Sequence, residues 1–138
     1  VNLRGAFLFM RATSRHMMRA RYGRIINMAS ISGARMGNPG QTNYSASKAG
    51  VAGMALPMAR EFARIGVRVN TVAPGIFLTP MMESMPEQVQ QSLAAQVPFP
   101  SRLGRPSEFA DLVAYIYGAV MLNAETIRQD GAIRMQPR

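Results

Sequence analysis

Tyr44 and Lys48 are the residues of this chain best suited to moving a proton. They stand four apart in Tyr44-Ser45-Ala46-Ser47-Lys48, and on a helix that spacing brings a phenol and an ammonium to one face, a turn apart. An ammonium beside a phenol favours the phenolate, which lets tyrosine act as an acid or a base near neutrality. Lys48 is the one lysine among sixteen basic residues, and there are four tyrosines. A lysine placed at random would follow one of them at this spacing about 3% of the time, so the pair needs company before it carries a function. Taken alone, a solvated helix lysine beside a packed tyrosine explains it as well. Ser30 supplies a hydroxyl upstream of the pair, with Ser32 as a second candidate. No cysteine is present and His16 is the single histidine. That excludes thiolate nucleophiles, disulfides and thiolate zinc sites, and no bound metal is expected.

Elements that could position these groups follow from periodicity and punctuation. Leu3, Phe7, Met10 and Met17 or Met18 recur near helical spacing, which predicts a helix over 3–20 that stops at Tyr22-Gly23. The β-branched start of 24–30 suits a buried strand that delivers Ser30 at its end. A glycine-rich loop, Gly33 to Gly40, leads to Thr42 or Asn43 as N-cap of a helix over 44–65. That helix is apolar or small nearly all round, so burial on more than one side is expected, with a kink at Pro57. A strand over 67–73 closes at Pro74-Gly75; a helical stretch lies near 87–96. A further helix begins after Ser107 as its cap, and a third strand over 125–128 closes at Asp130-Gly131. Strands separated by crossovers of this length pair in parallel, and ligands of such sheets bind at the carboxyl ends of the strands. Ser30, Pro74-Gly75 and Asp130-Gly131 all fall there.

The formal charge of +9 would ordinarily raise nucleic acid as a partner. Its distribution argues otherwise: residues 1–60 hold nine bases and no acid, whereas 61–138 hold seven arginines and seven acids. Arg4, Arg11, Arg15 and Arg19 share one face of the first helix. No motif for reading bases accompanies them, and the aromatics needed for base stacking are few. An arginine-rich transit peptide is likewise disfavoured, since the segment runs into a strand without a cleavable linker. A solvated helix face is the preferred reading, with no nucleic acid and no membrane as partners, because no run of eighteen apolar residues exists. The 138 residues suit one domain and no second.

The residues around the pair resemble the short-chain dehydrogenase/reductase family. Its active-site serine, followed about thirteen residues later by Tyr-x-x-x-Lys, is matched by Ser30 and Tyr44 through Lys48 at a separation of fourteen. Its helix asparagine is matched by Asn2 in Val1-Asn2-Leu3-Arg4-Gly5, and its Pro-Gly-x-x-x-Thr cofactor loop by Pro74, Gly75 and Thr79. Three further stretches, 53–60, 96–104 and 130–137, resemble a branch of the family that acts on 3-hydroxyacyl-CoA. Ala124 stands where that branch has glycine, which would strain its turn.

The resemblance implies an α/β fold: the C-terminal part of a Rossmann-like, doubly wound parallel sheet, strands five, six and seven with flanking helices, and the first βαβ half absent. The whole of 1–138 would be one partial domain. It implies an oxidoreductase that passes hydride between NAD, with NADP left open, and a secondary alcohol or ketone such as 3-hydroxyacyl-CoA, active only with the missing half. Tyr44 would exchange the proton at the substrate oxygen and Ser30 would hydrogen-bond that oxygen. Lys48 would bind the nicotinamide ribose and favour the phenolate, and Asn2 would position a water linking Lys48 to solvent. Pro74, Gly75, the Ile76 backbone and Thr79 would hold the carboxamide end. A homo-oligomer through helices 3–20 and 44–65 and a cytoplasmic location, mitochondrial in a eukaryote, go with it. The alternative is a non-catalytic oligomerisation module. No glycine fingerprint for a pyrophosphate precedes these elements, and Pro39 argues against Gly33, Gly37 and Gly40 as a substitute cradle. Met81, Met82 and Met85 could line an acyl pocket, with core or lid packing the more ordinary role.

Overall fold

The computed structural model describes residues 1–34 and 36–134; Arg35, and Met135, Gln136 and Pro137 of the resembling C-terminal stretch, lie outside the described residues. Helix α1 (Asn2–Ala20) ends as Arg21 turns left-handed and its N–H and that of Tyr22 return to Met18 and Met17 carbonyls. Strand β1 (Gly23–Met28) follows, then a short interrupted turn α2 (Ile31–Ala34), helices α3 (Thr42–Gly53) and α4 (Ala55–Phe62) and strand β2 (Val67–Pro74). Short helices α5 (Pro80–Glu83) and α6 (Glu87–Ala94) lead to α7 (Pro106–Gly118) and β3 (Thr126–Gln129).

The three strands form one parallel sheet in the order β1-β2-β3, with Ile25 beside Val69 and Val72 beside Ile127. Strand β2 is buried along nearly its whole length, which requires cover on both faces. Val67 and Val69 pack with Ile25 against Met10 of α1 and Ala55 and Ala59 of α4. On the opposite face, Arg68 reaches the carboxyl end of α7, where it donates to the carbonyls of Ile116, Ala119 and Leu122 at 3.2, 2.6 and 2.8 Å and of Tyr117 at 2.7 Å. Burial, with the Arg24 guanidinium nearby, lowers the Arg68 pKa from its ordinary value. Asn70, 1% exposed, donates to Leu122 O and accepts from Glu125 N–H. These bonds hold the 119–125 turn that feeds β3.

The helix expected over 44–65 is divided. Pro57 has no N–H to give Gly53, and the ladder breaks one turn upstream, at Met54, after which a 3-10 turn (Ala63–Ile65) ends the run at left-handed Gly66. Its N-cap is Gln41 rather than Thr42 or Asn43. Burial on more than one side does not hold in the lone chain: Ala46, Ala49 and Gly53 are exposed and Leu56 is 52% exposed, because nothing among the described residues covers that face. Helix α7 likewise starts at Pro106 rather than after Ser107, with Arg105 as cap and the Glu108 carboxylate accepting from the Arg105 N–H at 2.7 Å. Arg102 and then that N–H hold the Glu108 pKa down at about 2.

Ala124 adopts φ +69°, the left-handed region that the glycine expected there would enter freely. Ala124→Gly should therefore raise stability by roughly 0.5–1 kcal/mol, read as an upward shift of Tm. An unchanged or lower Tm would mean that the turn carries no strain.

Candidate active site

Past the end of β1 the Ala29 N–H still donates to Val72 O at 2.8 Å, so Ser30 is the first residue beyond the sheet. Its Oγ accepts from the Ser32 N–H at 3.2 Å, and a hydroxyl so engaged keeps its own proton to donate. Ser32 differs: it is 4% exposed and its Oγ donates to Gln41 Oε1 at 3.2 Å. Of the two serines, the half-buried Ser30 is the one open to a ligand.

Helix α3 carries Tyr44 in its first turn and Lys48 in its second. The Lys48 ammonium lies 5.8 Å from the centre of the Tyr44 ring, on the shared face that the spacing predicts, and donates to the Met28 carbonyl at 2.9 Å. Met28 is the last residue of β1, so this bond fixes the cation at the carboxyl end of the sheet. The segment after Ser30 is pressed on the same helix. Gly33 has φ +100°, and a Cβ there would overlap the Ser45 carbonyl oxygen and come within 2.9 Å of the Ala49 nitrogen. Gly33 and Gly37, whose Cβ would stand 3.0 Å from Ser45 Oγ, serve close packing of loop on helix.

Asn2, exposed at the start of α1, lines an open groove of about 880 Å³ together with Leu3, Phe7, Tyr44 and Ser47. The structure thus brings Asn2 to Tyr44 along the α1–α3 seam, while Ser30 and Lys48 lie outside that lining.

Pro74 ends β2. The Gly75 N–H donates to Gln129 O at 2.9 Å, and a Cβ on Gly75 would come within 2.8 Å of Asp130 Cα, so glycine is required by this approach. The Ile76 carbonyl accepts from Gly104 N–H at 2.9 Å. Thr79 caps α5, its Oγ1 accepting from Met82 N–H at 3.4 Å. Ile31, Val97 and Ile133 form a second small core with Ile76 packed against it, which ties together the segments following all three strands. Asp130 steadies the last of them: its carboxylate pairs with Arg128 and Arg134 and accepts from Ala132 N–H at 3.0 Å. Met81 is 73% exposed on α5, outside any core.

The ammonium of Lys48, the Thr79 hydroxyl and the Ile76 backbone are the groups at this end that could hold a nucleoside. Sequence reasoning missed Gln41 as a member of this framework, and it placed Asp130 at the strand end without its pairing to the flanking arginines. The signal for Gln41 was its place three residues before Tyr44, at the helix start; for Asp130, its setting between Arg128 and Arg134. Among the described residues no helix is long and apolar enough to cross a membrane.

Comparisons with known proteins place the chain in a family. The family model for short chain dehydrogenases matches residues 1–90. The human 3-hydroxyacyl-CoA dehydrogenase type-2 is 52% identical, over 99% of this chain and 54% of its own length. A 3-oxoacyl-[acyl-carrier-protein] reductase of Vibrio cholerae is 45% identical over 97% of this chain and 55% of its own length. The crystal structure of 3-hydroxyacyl-CoA dehydrogenase type-2 from Mycobacterium avium superposes with a TM-score of 0.92 at 40% identity, over the whole chain and 55% of that protein. The chain therefore spans about half the length of the relatives it matches, and it belongs to the short-chain dehydrogenase family.

Proposed function

We propose that this chain is the catalytic half of an NAD-dependent dehydrogenase that interconverts a 3-hydroxyacyl-CoA and its 3-oxo form, working with a dinucleotide-binding half of the kind its relatives carry. The observation that carries this reading is the Lys48 ammonium held between the Met28 carbonyl and the Tyr44 ring at the carboxyl end of a parallel sheet. The human 3-hydroxyacyl-CoA dehydrogenase and the Vibrio cholerae 3-oxoacyl-[acyl-carrier-protein] reductase support the substrate class. The residues fit a nicotinamide nucleoside: Lys48 offers an ammonium to ribose hydroxyls, and Thr79, whose Oγ1 only accepts among the described residues, has a proton to give a carboxamide. Pro74, Gly75 and Ile76 offer backbone at the strand end. Groups that select NAD over NADP would belong to the other half.

A nicotinamide held by Lys48, Thr79 and the Ile76 backbone would supply the hydride acceptor or donor for the substrate carbon. Tyr44 Oη takes the proton of the alcohol during oxidation and returns it during reduction. Ser30 Oγ donates to the same oxygen and fixes its direction. Lys48 would hold the ribose, and Asn2 orders a water through which the proton reaches solvent. Each role depends on orientation more than on reactivity. The test joins the N-terminal half of the human relative ahead of Val1 and follows NADH formation from a 3-hydroxyacyl-CoA. Steady turnover is expected; a folded, NAD-binding enzyme with no turnover would overturn the reading.

Self-association belongs to the same proposal. Ala46, Ala49, Gly53 and Leu56 lie on one side of α3–α4 and are exposed, and Phe7 on α1 is 46% exposed. An apolar, small-residue face of this kind supports packing against a second copy. Leu56→Arg is expected to halve the mass in solution or more, measured by light scattering, with helicity retained; an unchanged mass would place the interface elsewhere.

A further inference from the structure

We infer that Gln41 is a positioning residue: its side-chain oxygen ties the segment bearing Ser30 to the helix bearing Tyr44, and so sets the gap between their hydroxyls. The inference rests on the roles proposed above for Ser30 and Tyr44. Gln41 Oε1 accepts twice, from Ser32 Oγ at 3.2 Å and from the Asn38 N–H at 3.1 Å. A backbone N–H can only donate, so the amide orientation is fixed by the second bond. Both main-chain groups of Gln41 are also engaged: its N–H donates to Asn38 O at 3.0 Å, and its carbonyl accepts from Ser45 N–H at 2.7 Å in the first turn of α3. At the other end, the Ser32 N–H donates to Ser30 Oγ at 3.2 Å. A continuous path therefore runs from the Ser30 hydroxyl through Ser32 and Gln41 into the helix that presents Tyr44.

The covalent route between the same two hydroxyls is fourteen residues long and passes Gly33, Gly37 and Gly40, two of them with positive φ. The covalent connection alone does not hold two groups in register; Gly33 and Gly37 seat its first part on α3, and its last part needs a further tie. Ile31 anchors its start in the second core, and Gln41 closes its far end. Two hydroxyls must converge on one substrate oxygen, and a misplacement of about 1 Å can cost about a hundredfold in rate.

The experiment uses the joined enzyme described above. Gln41→Leu should lower kcat about 10- to 100-fold while the Kd for NAD stays within about twofold. Gln41→Glu keeps an acceptor oxygen at the same place and should retain kcat within about threefold. Amide exchange at Asn38 should quicken in the leucine variant and not in the glutamate variant. Because Gln41→Leu orphans the buried Ser32 hydroxyl, the double variant Ser32→Ala with Gln41→Leu guards against simple misfolding, and its kcat should be no lower than that of Gln41→Leu. An unchanged kcat in Gln41→Leu, or equal losses in the leucine and glutamate variants, would overturn the inference while leaving the function standing. An unsubstituted enzyme without turnover would remove both.

Discussion

Tyr44→Phe in the joined enzyme is expected to lower turnover by about a hundred- to ten-thousand-fold, with NAD affinity and Tm close to those of the parent. The substitution removes one oxygen and nothing else. Tyr44 is 37% exposed, and its ring faces the Lys48 ammonium at 5.8 Å; phenylalanine keeps that ring and its attraction for the cation. Lys48 also keeps its bond to the Met28 carbonyl, so the cation stays at the strand end. What disappears is the group that exchanges the substrate proton. Proton transfer by a positioned side chain is worth this much in enzymes generally, and the magnitude exceeds anything that a packing change at a part-exposed position would produce. Turnover within a few-fold of the parent would contradict the role given to Tyr44.

The second large effect concerns stability. Arg68→Leu is expected to cost about 3–5 kcal/mol, read as a large fall in Tm or in the denaturant midpoint. Arg68 is 8% exposed, and its guanidinium gathers the carbonyls of Ile116, Tyr117, Ala119 and Leu122 where α7 ends. The Ile116 and Tyr117 carbonyls belong to the last turn of α7, where the helix ladder runs out, and a positive charge at a helix carboxyl end is favourable as well. Leucine would fill the volume and take this donor from all four carbonyls, leaving Ala119 O with the Leu122 N–H and Leu122 O with the Asn70 amide. Arg68→Lys should recover only part of the loss, since a single ammonium cannot span carbonyls that a planar fork reaches together. A fall smaller than about 1 kcal/mol for Arg68→Leu would show that water replaces the guanidinium freely.

Much of this architecture is legible in the residues themselves. Alternation and β-branching place β1 and β2 to within a residue or two, and the four-residue spacing of Tyr44 and Lys48 places both on one face, as the structure has them. Ala124 is a case where one side chain announces backbone strain, and φ +69° is found there. The failures have local causes. Thr42, Asn43 and Ser107 have cap-forming side chains, yet the helices start from Gln41 and Arg105, where the preceding loop and Pro106 decide the geometry. Pro57, by contrast, signals its break correctly: the bond it removes is the one to Gly53, and the helix divides at Met54. The exposed side of α3–α4 looks like core because small and apolar residues do not say which molecule will cover them. The bonds of Gln41 to Ser32 and of Arg68 to the end of α7 span nine and about fifty residues, and no periodicity reports contacts at such range.

The most direct test of the account is the crystal structure of the joined enzyme with NAD and an unreactive 3-oxoacyl analogue. The analogue's 3-oxo oxygen is expected within about 2.6–3.2 Å of both Tyr44 Oη and Ser30 Oγ, with the Lys48 ammonium on the nicotinamide ribose. An analogue whose oxygen is held by other groups, with Tyr44 and Ser30 turned away from it, would contradict the account.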